Sequence, residues 1–85
     1  MAETSDDYGG VVAQLSPEWR VIVCRDGLQW VLQRRKNGGA ERPWRARHYC
    51  RTRRALVRLC ASVCWPVDPD AQAALQRLQV QIGRG

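Results

Sequence analysis

The run Trp19-Arg20-Val21-Ile22-Val23-Cys24-Arg25-Asp26-Gly27-Leu28-Gln29-Trp30-Val31-Leu32-Gln33-Arg34 decides the fold. Two stretches rich in β-branched and aromatic residues flank Asp26-Gly27. That pattern predicts a β-hairpin with a two-residue type I′ turn, which needs positive φ at both central positions. Counting outward from the tip pairs Val23 with Trp30 and Val21 with Leu32. Side chains alternate along a strand, so these four share a face with Trp19, and that face is the expected core. The opposite face carries Arg20, Ile22 and Cys24 against Gln29, Val31 and Gln33.

Downstream, Arg35 to Pro43 holds a Gly pair, a Pro and several charges, and is expected to be a basic loop. Trp44 to Cys50 is the expected third strand, with Trp44, Ala46, His48 and Cys50 toward the core and Arg45, Arg47 and Tyr49 outward. Thr52 then offers an N-cap, and Ala55, Leu56, Leu59, Cys60, Val63 and Cys64 recur at helical spacing, predicting a helix over 53–64. Trp65-Pro66 ends it. Asp68 and Pro69 open a second helix, whose apolar stripe is Ala71, Ala74, Leu75, Leu78 and Ile82. Upstream, residues 1–10 read as a flexible acidic tail, and Val11 to Leu15 as a short strand or an apolar clip on the core. The expected fold is α+β: a three-stranded antiparallel sheet, hairpin plus third strand, packed on one face by two C-terminal helices. Residues 11–85 form one small domain.

Eighty-five residues leave room for one small core, and 45% hydrophobic residues with a net charge of +6 describe a basic folded module. So short a chain is expected to act by presenting a surface and not as an enzyme. Its charge is uneven. Glu3, Asp6 and Asp7 make the first ten residues acidic, whereas residues 18–58 hold twelve bases against three acids, a local charge of +9. Clustered charge of this kind suits phosphates or an acidic protein face. Thirteen of the fourteen bases are Arg, which a GC-rich genome would also produce.

The outer sheet face is expected to gather Arg20, Gln29, Gln33, Arg45, Arg47 and Tyr49 around Ile22 and Val31. Arg34, Arg35 and Lys36 extend it into the loop, and Arg51, Arg54 and Arg58 form a ridge on the first helix. Arg and Gln match guanine and adenine edges in the major groove, and a small sheet can enter that groove, so DNA is favoured over RNA. An acidic surface of a nucleoprotein complex is the alternative partner. Ile22 and Val31 would leave an apolar spot on this face, suited to a protein interface or to a homodimer.

Cys24, Cys50, Cys60, Cys64 and His48 lack the paired spacing of a structural zinc site, and core packing is the expected role of most of these cysteines. No catalytic residue, metal or cofactor is expected. Trp19, Trp30, Trp44 and Trp65 are expected to supply core bulk in a chain without Phe; Trp65, at the helix junction, is the one placed to serve instead as an exposed anchor. No signal peptide or membrane span is legible, so a cytoplasmic location is expected, with reduced thiols.

The step Tyr49-x-x-Thr52-x-x-Ala55-Leu56, after three strands, resembles the arm-binding domains of phage integrases over residues 19–64. The phrase RVIVCRDGLQWVLQRR at 20–35 is similar to short proteins of alphaproteobacterial prophages and integrative elements. Those resemblances imply a sheet-type DNA reader, or a regulator of mobile-element biology of the antiactivator or anti-CRISPR type.

Overall fold

The computed structural model describes residues 2–36 and 42–83. Strands β1 (Val11–Gln14), β2 (Trp19–Val23), β3 (Trp30–Arg35) and β4 (Trp44–Cys50) precede helices α1 (Arg53–Val63) and α2 (Pro69–Gln76). The chain is α+β, with one antiparallel sheet in the order β1-β2-β3-β4 and two helices. The expected third strand is β4. The fourth strand is the upstream segment, which pairs with β2 through Ala13↔Val21 and Gln14↔Arg20 and seals that edge.

The hairpin register is the expected one, with Val23 opposite Trp30 and Val21 opposite Leu32. Its turn is different. No described non-glycine residue has positive φ, so Asp26 does not take the conformation a type I′ turn demands. The Gly27 amide donates instead to the Cys24 carbonyl at 2.9 Å, and Gly27 itself, at φ +70°, absorbs the left-handed step. Both loops share one register, because Cys24 still faces Gln29 through a 3.0 Å backbone bond.

Both helices start as their sequences dictate. The Thr52 side chain accepts from the Ala55 amide at 3.2 Å, and the Asp68 carboxylate from the Ala71 amide at 3.1 Å, with Pro69 in the first turn. The helices bury Leu56, Cys60, Ala71 and Leu75 against Ala13, Leu15, Val21, Trp30 and Leu32, and Ile82 closes the core. Arg53 ties the helices together, its guanidinium donating to the carbonyls of Gln76 and Leu78 at the end of α2. The last described stretch returns to the start of α1, where the Ile82 amide donates to the Arg51 carbonyl at 2.9 Å.

Residues 2–10 form turns that lie against the sheet face opposite the helices. Their carbonyls receive the side chains of Arg20 and Gln33, and the Tyr8 hydroxyl donates to the Val23 carbonyl at 2.8 Å. Ile22 and Val31, expected as an exposed apolar spot, are 0% and 2% exposed on that face, so they offer no dimer surface. Trp65 does not join the core; it stands 79% exposed beside a cleft of about 320 Å³ lined by Val57, Ala61, Val67 and Pro69.

Candidate nucleic-acid interface

In β4, Leu32 pairs with His48 but Gln33 pairs with Ala46, so Arg47 is an extra residue in a bulge. A single inserted residue reverses the alternation. His48 and Cys50 keep the helix-side parity expected of them, while Trp44 and Ala46 swing to the opposite face. Trp44, 2% exposed, lies there against Arg20, whose guanidinium carbon is 4.3 Å from the ring centroid. His48, expected in the core, is exposed.

The bulge sets the geometry of the basic residues. Arg45 now sits opposite Arg34 and shares its face, and both are exposed. With Arg35, Lys36 and Arg47, these two line a cleft of about 250 Å³ in which Glu18 is the one acid among the described residues. Glu18 approaches Arg34 at 3.7 Å with both side chains more than half exposed, a weak pairing in water. Trp19 supports Arg34 from below, 5.4 Å from its guanidinium carbon. Among the described residues, five cations line the cleft against Glu18, with Arg35 also paired to Asp6, and the balance is positive.

Of the residues expected to face a partner, Arg20 and Gln33 are buried and hydrogen-bonded within the protein. The Arg20 guanidinium donates to Gln33 Oε1 at 2.7 Å and to the carbonyls of Glu3, Ser5 and Asp6, while Gln33 Nε2 donates to the Glu3 carbonyl at 3.0 Å. Neither can read a base edge in this arrangement. Gln29 is half-buried at the base of the hairpin loop. Tyr49 is 60% exposed on the outer edge, and Arg51, Arg54 and Arg58 are exposed at and beyond the start of α1. Residues 37–41 of the expected basic loop lie outside the described residues.

The chain matches no protein-family model, no curated protein and no solved structure. What the interface does must therefore be argued from its own chemistry.

Two features escaped the sequence. Glu18 reads as an isolated acid before Trp19, and nothing in its spacing reveals that it walls a cleft formed with β3 and β4. Asp6 reads as part of a tail, yet its carboxylate accepts from the Trp44 indole at 3.0 Å and from Arg35 at 2.7 Å. Those two hydrogen bonds, the indole's first, hold the Asp6 carboxyl below its ordinary value of 3.8. One cation of the cleft is thereby shared with the N-terminal segment.

The start of α1 is chemically odd. Arg53 and Arg54 occupy its first turn, where the helix dipole is positive, and no acid is there to offset them. Arg53 has a structural use in bonding α2. Arg54 has none among the described residues and places charge where the fold disfavours it. A bound anion would remove that penalty.

Proposed function

We propose that this protein is a small non-enzymatic nucleic-acid-binding module that grips the phosphate backbone through the cleft lined by Arg34, Arg35, Lys36, Arg45 and Arg47. The observation that carries this is the convergence of Arg34, Arg35, Lys36, Arg45 and Arg47 on one cleft in which Glu18 is the one acid among the described residues. Arginine forks and a lysine point charge are the usual partners of phosphate oxygens. Arg51, Arg54 and Arg58 lengthen the positive surface toward α1.

The binding mode differs from direct base reading by an open sheet face. Arg20 and Gln33, which supplied the preference for DNA, are locked inside the protein, so the contacts are to phosphates and carry little base specificity. A regulatory role on a mobile element is compatible with such binding. Retardation of a mixed oligonucleotide pool at about 50 mM salt tests it, with affinity falling steeply as salt rises. Reversing two charges, R45E with R47E, should abolish the shift. A pool that is not retarded at micromolar protein overturns the proposal.

A protein-directed role, capping an acidic surface of a host nucleoprotein complex, is favoured by one separate observation. Trp65 is 79% exposed beside an apolar cleft, and tryptophan is prominent among interface anchors. A partner recovered from nuclease-treated lysate and lost with Trp65→Ala supports that role; a partner recovered only with intact nucleic acid argues for the first.

A further inference from the structure

We infer that the basic edge takes single-stranded rather than duplex nucleic acid, an inference that rests on the phosphate-binding role proposed above. β4 is the outer strand of the sheet, and its residues Arg45 to Tyr49 are exposed without interruption. At about 3.3 Å per residue, this edge and the adjoining Arg51 present three arginines and two neighbouring rings, His48 and Tyr49 on opposite faces of the strand, along roughly 20 Å. Arg45, Arg47 and Arg51 supply the charge; His48 and Tyr49 supply the rings.

Rings set among arginines on an open edge gain most from bases that are free to stack. Proteins that hold single strands combine a positive groove along the backbone with aromatic platforms for successive bases. In a duplex the bases already stack on one another, and reaching a ring means unstacking them at a cost of a few kcal/mol. Tyr49 lies opposite Val31 and is 60% exposed, so most of its ring is available.

The element that would suit a duplex is withdrawn. A sheet-type reader inserts a sheet face into the major groove, but here residues 2–10 lie on the face opposite the helices, and its Arg20 and Gln33 are buried. Helix α1 offers Arg54 and Arg58 but contains no Asn or Gln with which to read adenine. Its arginines can add phosphate contacts to either kind of strand.

The test compares three labelled probes of equal length by fluorescence anisotropy: oligo-dT, oligo-rU and a blunt DNA duplex. The single strands, or whichever of the two is the natural source, should bind at least about ten-fold more tightly than the duplex. Tyr49→Ala should weaken single-strand binding by roughly five- to a hundred-fold, as expected for the loss of one stacked base, and Tyr49→Phe should retain it. Duplex affinity should be unmoved by either variant. Duplex binding equal to or tighter than both single strands overturns this inference while leaving the phosphate-binding role standing. So does a Tyr49→Ala variant that binds oligo-dT and oligo-rU like the wild type. Failure of all three probes to bind overturns the phosphate-binding role as well. Tyr49 is outside the core, and circular dichroism of both variants should match the wild type.

Discussion

Arg20 donates through Nε to Oε1 of Gln33 at 2.7 Å, and each residue is 1% exposed. The pair lies on the sheet face away from the helices. The guanidinium also donates to the carbonyls of Glu3, Ser5 and Asp6, and Trp44 stacks on it. The sheet is therefore buried on both faces by different chemistry. Apolar side chains from two helices cover one, and a polar N-terminal segment, with Arg20 its most heavily bonded anchor, covers much of the other.

Removing Arg20 should release that segment. Arg20→Ala leaves Gln33 Oε1 and the Ser5 and Asp6 carbonyls without their donor and takes one of two donors from the Glu3 carbonyl, and hydrogen bonds to a charged group are worth about 1.5–3 kcal/mol each without being additive. The expected loss is about 2–4 kcal/mol in urea unfolding, with new protease cleavage inside residues 2–10. Arg20→Lys should recover little, since an ammonium cannot reproduce the fork. A loss below about 0.5 kcal/mol would contradict the anchoring role.

The attachment should also respond to acid. The folded-state value of Asp6 is depressed by the Trp44 and Arg35 hydrogen bonds. Its contribution is therefore complete above the unfolded value, about 3.9, and is lost as pH falls through the folded value. The Trp44 indole proton, followed by NMR, should be steady from about pH 5 to 8 and shift only below about pH 4. Asp6→Asn should remove that step. A midpoint above about pH 5 would contradict the assignment.

Much of the fold is legible in the sequence because the hairpin alternates so strongly. Val21 with Leu32 and Val23 with Trp30 fix one register whichever turn joins them, and Thr52 and Asp68 mark the two helix starts unmistakably. The face of β4 is not legible, because an extra residue at Arg47 leaves no mark in WRARHYC and yet moves Trp44 from one face to the other. Nor is the burial of Arg20. Its partners are backbone carbonyls some fifteen residues earlier, and a carbonyl has no residue type to recognise. The cleft cations were legible as charge; their convergence depends on the bulge.

The thiols should differ sharply in reactivity. Cys60 is fully buried, and burial pushes its thiol up to about 12, so it stays protonated and shielded. Iodoacetamide followed by peptide mapping should modify the half-buried Cys24, Cys50 and Cys64 well before Cys60, with Cys60 reacting only on unfolding. Modification of Cys60 at the rate of the others would show that α1 opens in the native state.

The helix-side core should be sensitive to truncation at its centre. Leu75, 0% exposed, joins α2 to the sheet cluster, and Leu75→Ala should cost about 2–5 kcal/mol by chemical denaturation. A cost under about 1 kcal/mol would mean that α2 is not part of the cooperative unit.

The proposed phosphate-binding role of the cleft is tested most directly by the salt dependence of oligonucleotide affinity, compared between the wild type and Arg45→Ala/Arg47→Ala. Each phosphate neutralised on a single strand contributes about −0.7 to the slope of log affinity against log salt, so three or four contacts predict about −2 to −3. Deleting the two arginines should flatten the slope by about 1.4. A slope that the double variant leaves unchanged, or one near zero in the wild type, would contradict the account.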